Sequence, residues 1–490
     1  MSNTPNTDYP RTPRIMKGRR VITTSVSAVT AENIVSVITA ANTKHQPNRL
    51  DIQYLEKYYR GMQPILGRVK LVRPEINHLI VENRANQIVN FKVGYCFGEP
   101  IHYVSTNGDE AVGRGVAELN ALTAAENKDT KDTELAMWMH ICGTGYRFVY
   151  PDEVGLTDPD DAPFELATLD PRNTYVVYNN GPGKTPVLGV TIVRNEDDKD
   201  IYCCYTPYEY FEVEDGVRII RQEGHILGAI PIIEYPLNPE RMGCFEAVLP
   251  LLDAINETAS DRQNGLDQFI QALMVMYNVD IDDKDYKALR EQGLLKLKDS
   301  DPQFKAKVEY LLNNLDQNGT ETLIDHQYQS VLEIVGMPNR NGGSSTSDTG
   351  VATIVRDGWS DAEARAKNTE KMFKASEKEM LKIVLRICKT FKGIDLRIRD
   401  LDIQFTRRNY ENIAQKATVL TQMLGSDKIA PKLASAHCGM FADPDRAYNE
   451  SVQYIQSAGR MNANEQTQPV STDGGDDPDD IIRSRESVRA

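Results

Sequence analysis

The sequence predicts an α+β protein in which several separate folded parts are attached to one long helix. Two patterns lead to this fold class. Between residues 348 and 393, apolar or small side chains recur at helical spacing for many turns without a proline. Between residues 146 and 221, short strand-like segments follow one another with turn signals between them. No helical pattern alternates with these segments, which favours an antiparallel meander over a parallel sheet.

The long helix is predicted over 350–393. Asp348 or Thr349 can cap its start by accepting hydrogen bonds from free backbone N–H groups, and Gly393 can take the left-handed conformation that ends a helix. About 43 residues make a rod on the order of 65 Å long, which one globule cannot bury. We therefore expect this helix to act as an elongated support to which separate parts of the chain attach. The Gly/Ser-rich segment 337–349 before it is predicted to be a mobile loop, either a linker or a working part.

Composition restricts the class of protein. The 490 residues predict roughly three domains, and 40% hydrophobic content is enough for real cores. The net charge of −15 argues against a sequence-reading DNA binder but leaves open a protein past which DNA slides. The seven scattered cysteines include no CxxC pair, which indicates a reduced cytosolic setting without zinc. The N-terminal residues lack a signal-peptide pattern, and no apolar run is long enough to span a bilayer.

The first half of the chain is predicted to be an arm followed by one mixed domain. Residues 1–49 form the N-terminal arm, partly disordered, with a weak helix over 31–41. Residues 50–242 form the α+β domain, and Asp215-Gly216 signals a hairpin within it. The expected helices of this domain are 54–61, 76–93 and 131–141. The expected strands are 146–150, 164–169, 175–178, 187–193, 201–205, 208–214 and 217–221.

Helical stripes return after residue 243. One helix is predicted over 243–269, and Asp253, Glu257 and Asp261 step by four along it and so share a face. Two interpretations of this acidic row have equal weight. It is either an ordinary solvent-exposed helix face or a surface whose negative charge has a function. A small α/β insertion at 270–313 and a second helix within 314–336 follow.

The C-terminal part is predicted to be helical after a short return to the first domain. Residues 394–409 alternate enough to form a strand or two that rejoin its sheet. Helices are expected within 410–460, and 461–490 is predicted to be a disordered acidic tail.

Motifs of known catalytic chemistry are incomplete in this chain. Gly183-Lys184-Thr185 lacks the first glycine of a phosphate loop, and Pro186 blocks the following helix. The acidic run 280–285 lacks the glycine and the closing glutamate of a calcium loop. Cys142 has no activating partner that the sequence identifies. No catalytic residue, cofactor or metal is therefore predicted, and the chain is not expected to be an enzyme.

An ordered set of short motifs resembles one family. The set comprises Tyr58-Tyr59-Arg60-Gly61 with Gln63-Pro64-Ile65-Leu66, then Asn83, Ala85, Ile88 and Val89, then Gly94-Tyr95 with Phe97-Gly98-Glu99-Pro100 and Tyr103, and later Ile334 to Pro338, Gly350-Val351-Ala352, and Ala442-Asp443-Pro444-Asp445 with Glu450. Each motif is weak alone, but their order is specific. From Ile52 to about Gln456 the chain is similar to the SPP1-like (Gp6-like) portal proteins of tailed bacteriophages.

The resemblance implies a dodecameric ring at one capsid vertex of the virion, made in the host bacterial cytoplasm. Double-stranded DNA would be pumped through it by the terminase large subunit, retained, and later ejected, without sequence specificity. Further implied partners are a head-completion or adaptor protein and the major capsid and scaffold proteins, with no membrane. In family terms the parts would be the wing (50–242 with 394–409), the stem helices (243–269 and 314–336), the clip (270–313), the tunnel loop (337–349), the spinal helix (350–393) and the crown (410–460).

Three sets of site residues follow from the resemblance. The tunnel-loop residues expected to face DNA are Asn339, Arg340, Asn341, Ser344, Ser345 and Thr346. The stem acids expected to face the channel are Asp253, Glu257 and Asp261, and the clip residues expected to contact partners are Lys284, Tyr286, Lys287 and Arg290. Because Arg340 is the only cation in 337–349, the loop is interpreted as a soft gasket rather than a tight grip on DNA.

Two other classes of protein remain open. A phage-encoded enzyme, such as a nuclease or ligase with an unrecognised site, would need acids with a nearby Lys or His in a cleft, whereas only solvated acidic runs are visible. Another head-to-tail connector ring, such as an adaptor, would be a much shorter chain without the long helix. A generic soluble scaffold is the remaining alternative.

Overall fold

The computed structural model describes residues 18–71, 73–106, 109–152, 161–270, 273–277, 307–311, 317–339, 358–406, 413–438, 440–441 and 444–465. The chain divides into two compact units, residues 1–408 and 409–490. Both helices and strands are well represented, which confirms the predicted α+β class.

The first unit contains all the strands and most of the helices in the described residues. Its helices are α1 (Ile34–Tyr59), α2 (Arg84–Phe97), α3 (Glu110–Ala125), α4 (Lys128–Cys142), α5 (Leu249–Ile270), α6 (Gln317–Val335) and α7 (Trp359–Phe391). Its strands are β1 (Ile22–Thr24), β2 (His102–Ser105), β3 (Thr144–Pro151), β4 (Phe164–Leu169), β5 (Thr174–Asn179), β6 (Pro186–Arg194), β7 (Asp200–Tyr205), β8 (Glu209–Glu214), β9 (Arg218–Gly224), β10 (Ile232–Pro236), β11 (Leu273–Tyr277), β12 (Lys307–Leu311) and β13 (Leu401–Gln404). The second unit contains α8 (Ile413–Leu424), α9 (Pro431–His437) and α10 (Pro444–Glu465).

The largest sheet has the strand order β1-β5-β6-β7-β8-β9. Strands β5 to β9 are antiparallel and adjacent in sequence order, as predicted for a meander, while β1 joins β5 in parallel. Between β8 and β9, Asp215 and Gly216 have positive φ angles of 50° and 69°, the backbone that a tight hairpin requires. One face of this sheet packs against the first half of α1 through Ile34, Val37 and Ile38.

Two smaller sheets complete the mixed part of the unit. Strands β10, β3 and β4 form one, and β13 pairs antiparallel with β2 to form the other. The chain thus returns to strand β2 after the long helix, although β13 forms a separate two-stranded sheet with it and does not join the meander. The sequence patterns predict neither β10 nor α3. Gly113 and Gly115 lower the helix propensity of α3, which is stabilised by burial of Val116, Leu119 and Leu122.

Helix α1 corrects the prediction of two short helices with a break between them. It continues through Pro47, although a proline inside a helix costs about 3 kcal/mol. Its buried face runs on past the proline to Ile52 and Leu55, and Asn48 exchanges two hydrogen bonds of 2.9 Å with the Arg20 backbone. The predicted boundary between arm and domain at residue 49 falls inside this helix, and residues 1–17 lie outside the described residues.

Residues 77–82 follow an extended path, which corrects the start of the helix predicted over 76–93: α2 begins at Arg84, after Asn83 at φ +47°. This segment lies along α5, and alternate backbone N–H groups donate to polar side chains of that helix. The three bonds are His78 N to Asn264 Oδ1 (2.7 Å), Ile80 N to Ser260 Oγ (2.9 Å) and Glu82 N to Asn256 Oδ1 (3.0 Å). Two extended residues advance about 6.7 Å and four helical residues about 6 Å, so the two repeats match. We call these three bonds the Asn–Ser–Asn ladder.

Helix α7 is the long helix that the sequence predicts, with a later start among the described residues. It begins at Trp359 after Gly358, whose φ is +82°, and its 33 residues span about 50 Å. Gly393 follows its end at φ +72°, as predicted for the terminating glycine. The expected caps Asp348 and Thr349 lie outside the described residues.

A buried carboxylate fastens α7 to the rest of the first unit. Glu377 lies in the middle of the buried face of α7, and its side chain has no exposed surface. Its two oxygens accept hydrogen bonds of 2.7 Å from the hydroxyls of Tyr103 on β2 and Tyr235 on β10. The Lys128 ammonium of α4 lies 2.8 Å from the same carboxylate.

The network continues to a second buried pair. Lys128 also lies 2.6 Å from Asp132, which accepts from the fully buried guanidinium of Arg147 on β3 at 2.6 Å. Two cations and two carboxylates therefore balance inside the protein. Burial disfavours ionisation of Glu377, but the charges of Lys128 and Arg147 outweigh it and hold the pKa of this carboxyl below its ordinary value.

We expect Glu377→Gln to lower the free energy of unfolding by about 3–5 kcal/mol, because Lys128 and Arg147 would then share one carboxylate in a buried site. Denaturant or thermal unfolding at pH 7 measures this loss. Glu379→Gln is the matched control, since Glu379 is exposed and pairs with Lys382, a surface pair that contributes about 1 kcal/mol or less. Equal effects of the two substitutions would contradict the role given to the network.

The same network sets a pH dependence. Since the folded pKa of Glu377 is depressed, its stabilising contribution is present above the pKa of an unfolded glutamate and is lost as the pH falls through the folded pKa. The wild type should therefore lose more stability on acidification than Glu377→Gln does.

Candidate functional site

The candidate site begins with two packed helices, α5 and α6. They lie against each other, with Arg262 of α5 paired to Glu321 of α6 at 3.1 Å. Arg84, the first residue of α2, stacks over the ring of Tyr328 on α6, with its guanidinium carbon 4.0 Å from the ring centre. Helix α2 thus contacts the helix pair where the ladder segment ends.

The C-terminal end of α6 is held by cations from two other helices. Gly336 follows it at φ +63°, and its carbonyl accepts from the Lys92 ammonium of α2 at 3.2 Å. The Ile334 carbonyl accepts from Arg365 of α7 at 2.9 Å. Both bonds satisfy backbone groups that a helix end leaves without intrahelical partners. Burial lowers the pKa of Lys92.

The start of α7 is held by aromatic side chains of the same helix α2. The Trp359 ring lies 6.1 Å from Phe91 and 5.9 Å from Tyr95, measured between ring centres. The Tyr95 hydroxyl donates to Glu363 at 2.9 Å. One face of α2 therefore positions both the end of α6 and the beginning of α7.

These two ends lie side by side. A Cβ atom built on Gly358 would be 3.8 Å from the Cα of Pro338, which is van der Waals contact. The described residues on either side of 340–357 are therefore neighbours in space. We call residues 334–339 and 358–365 the loop base. Of the predicted DNA-facing residues, Asn339 lies half-buried in the loop base, while Arg340, Asn341, Ser344, Ser345 and Thr346 lie outside the described residues.

The three acids of α5 have different surroundings. Asp253 is half-buried and accepts a 2.8 Å hydrogen bond from Tyr58 of α1. Glu257 is exposed, and Asp261 pairs with Arg68 at 2.5 Å. Within the described residues, the row is therefore partly occupied by contacts inside the chain. Its predicted orientation toward a channel stays a prediction.

The predicted clip is described only at its two ends. Strands β11 and β12 pair antiparallel, which joins residues 273–277 to 307–311. Lys284, Tyr286, Lys287 and Arg290, the predicted partner contacts, lie outside the described residues.

Titratable groups in the described residues do not assemble into a metal centre. No group of His, Cys, Asp and Glu there is arranged to hold a metal ion. Burial raises the pKa of the Cys142 thiol to about 12, which disfavours its thiolate form. No helix in the described part combines the length and the apolarity needed to cross a membrane.

Comparison with known proteins identifies the family. The family of phage portal proteins described as SPP1 Gp6-like matches residues 40–465. A chain from the solved structure of the neck of an empty GTA particle is similar at 11% identity, with 73% of this chain and 90% of that chain covered and a TM-score of 0.41, a likeness too low to carry an argument. No curated protein matches the sequence.

The chain belongs to the SPP1 Gp6-like family of phage portal proteins, because the family match spans most of its length. Membership assigns it a portal or connector role as a component of the virion. Proteins of this family are in general structural rather than enzymatic.

The environment of Asp253 makes a pH-dependent prediction. Burial raises the pKa of Asp253 from 3.8 to about 6, the hydrogen bond from Tyr58 opposes the rise, and the charge of Glu257 adds to it. A carboxyl whose folded pKa is raised destabilises the fold once it ionises, so stability falls as the pH rises from about 4 to about 6. Asp253→Asn should therefore raise the melting temperature at pH 8, with no gain below about pH 4.

Thermal unfolding at the two pH values tests this, and the side-chain oxygen of Asn can still accept from Tyr58. Asp325→Asn on the exposed face of α6 is the control and should give no gain at either pH. A gain from Asp253→Asn that is the same at both pH values would contradict the assigned titration.

Proposed function

We propose that the chain assembles into a dodecameric ring at a capsid vertex and that DNA is packaged, retained and ejected through the central channel. Family membership supports the portal role. The geometry of the loop base is the structural observation that supports a central channel. The loop base holds both ends of residues 340–357 at one place through contacts with a single helix, α2. Such an arrangement suits a loop that projects from a rigid support toward something that moves past it.

The charge of the chain supports passage of DNA rather than binding. We propose that part of the net charge of −15 lies along the channel wall and repels phosphates on all sides, so that DNA slides without adhering. In this proposal Asp253, Glu257 and Asp261 face the channel. Asn339, Arg340, Asn341, Ser344, Ser345 and Thr346 form the loop surface next to the DNA.

The clip is proposed to contact the machinery outside the capsid. Lys284, Tyr286, Lys287 and Arg290 lie in the sequence between the paired strands β11 and β12. The partners proposed for it are the terminase large subunit during packaging and a head-completion or adaptor protein afterwards. Capsid and scaffold proteins are proposed to surround the ring.

The first test is the native mass of the purified full-length chain. Twelve copies of 55.0 kDa give about 660 kDa. Mass photometry should find a species near that mass, or one subunit either side, and negative-stain class averages should show a closed ring with a central hole. A protein that stays monomeric or dimeric at high concentration would contradict the proposal.

Arg340 supplies the second test, because it is the only cation in 337–349. We expect Arg340→Ala to lower DNA packaging or retention while the ring still assembles, since the loop loses its one positive charge toward phosphate. Packaged DNA per particle and native mass are the two measurements. Arg340→Lys keeps the charge and should retain packaging; unchanged packaging in Arg340→Ala would remove this role from Arg340.

A further inference from the structure

A patch of aromatic side chains lies at the edge of the contact between two sheets of the first unit. Tyr146, Phe148 and Tyr150 share the face of β3 that packs against the large sheet, and exposure rises along this face from 6% at Tyr146 to 43% at Tyr150. The Phe148 ring lies 5.2 Å from that of Tyr205 on β7, measured between ring centres. Tyr205 in turn lies 4.7 Å from Tyr210, its pairing partner on β8. We call Phe148, Tyr150, Tyr205 and Tyr210 the aromatic surface.

The aromatic surface lies on the side of the large sheet opposite α1. Phe211 and Val213 of β8 belong to the cluster that packs with the first half of α1, so strand alternation places Tyr210 on the other side. Tyr205 and Tyr210 are both half-buried there. Aromatic rings bury a large apolar area and keep a polar group at one end, and Tyr is enriched where proteins bind partners. This side of the sheet therefore suits a bound segment of chain.

The charges around the aromatic surface are mainly negative. Glu165 is exposed on β4, which pairs with β3, while Glu212 and Glu223 lie on β8 and β9. Arg221 pairs with Glu212 at 3.1 Å and with Glu223 at 2.8 Å. Its guanidinium carbon lies 5.7 Å from the centre of the Tyr210 ring. Three carboxylates against one guanidinium leave an excess of two negative charges, so the surface favours an occupant that combines cations with rigid apolar groups.

Residues 9–14 of the chain, Tyr-Pro-Arg-Thr-Pro-Arg, have this chemistry. Pro10 and Pro13 are three residues apart, which is the repeat of a polyproline II helix, so this spacing places both on one edge. Segments of this kind bind to surfaces lined by aromatic side chains, because their preformed conformation lowers the entropy lost on binding. Arg11 and Arg14 give the segment a charge of +2, opposite in sign to that of the surface.

The described chain begins close enough for this segment to reach the aromatic surface. The Arg19 amide donates to the Arg241 carbonyl at 3.0 Å, and the Arg19 guanidinium donates to the Cys142 carbonyl at 3.3 Å. The chain therefore enters the first unit beside the start of β3. From its first residue to Tyr150, β3 advances about 20 Å. The eight residues 10–17 span about 25 Å in the polyproline II conformation, which is sufficient.

We propose that residues 9–14 bind to the aromatic surface of their own chain, with the two prolines on the rings and the two arginines toward the surrounding carboxylates. The N-terminal arm then covers part of the large sheet opposite α1. The acidic tail is a poor occupant, because residues 473–480 contain five Asp and no cation. The proposal goes beyond the portal role and does not depend on assembly into a ring.

Photo-cross-linking of the full-length protein tests the proposal. Benzoylphenylalanine in place of Tyr210 keeps an aromatic ring at this position and should cross-link to peptides that contain residues 9–14, which mass spectrometry identifies. The same group in place of Val217 is the matched control. Val217 is 73% exposed in the turn between β8 and β9 of the same sheet, and it should not reach this segment.

Substitutions in the arm leave the described fold untouched and show whether the prolines matter. Pro10→Ala combined with Pro13→Ala should lower the yield of the Tyr210-site cross-link about tenfold, since both apolar anchors and the preformed conformation are lost. Pro5→Ala removes a proline outside the segment and should leave the yield unchanged.

Limited trypsin digestion is an independent measurement on the same protein. Binding of residues 9–14 should slow cleavage after Arg14, and Tyr210→Ser should accelerate this cleavage about tenfold because one aromatic anchor is lost. Tyr454→Ser is the control, since Tyr454 is 73% exposed in the second unit and its loss should leave the cleavage rate unchanged.

Mixing isotope-labelled and unlabelled copies assigns each cross-link to its chain of origin. Cross-links to residues 9–14 within one copy support the proposal. Cross-links to residues 9–14 of another copy would overturn it in favour of a neighbouring chain as the source of the segment. Cross-links to other segments only, or a yield that the two proline substitutions leave unchanged, would overturn it altogether. Rings that lack the cross-link contradict this proposal alone, whereas a cross-linked chain that never forms rings contradicts the proposed function alone.

Discussion

The buried carboxylate of Glu377 is the constraint on which the arrangement of the first unit depends. An uncompensated charge at that depth would cost several kcal/mol, so its partners must all be in place. They come from separate parts of the chain: Lys128 on α4, Tyr103 on β2 and Tyr235 on β10. Because hydrogen bonds are directional, these contacts fix both the rotation and the axial position of α7. A purely apolar face would tolerate more sliding.

The position of α7 in turn determines the loop base. Its first turn meets Phe91 and Tyr95 of α2, and its Arg365 reaches back to the end of α6. The same helix α2 holds Gly336 through Lys92. The two ends of residues 340–357 are therefore supported by one helix and tied to each other. In a portal protein this places the segment that is predicted to be the tunnel loop on a support that is held by several independent contacts.

Local patterns predicted much of the fold, and distant partners account for what they missed. Strand alternation, the Asp215-Gly216 turn and the glycine after the long helix are decided by neighbouring residues. The extended path of 77–82 depends on side chains of α5, and burial of Glu377 depends on Lys128, so neither is visible locally. For the site, the acids of α5 were correctly placed on one helix, but the contact of Asp253 with Tyr58 joins elements far apart in sequence.

The Asn–Ser–Asn ladder restricts how α5 can move. Its three acceptors are four residues apart, so a displacement of one helical turn toward the C-terminus of α5 would bring Leu252, which has no side-chain acceptor, into the place of Asn256. Intermediate displacements would break all three bonds together. Movement of α5 toward its own C-terminus along the segment 77–82 is therefore unfavourable. That segment continues directly into α2, and α2 supports the loop base. An axial movement of α5 would therefore pull on the loop base through this segment and α2.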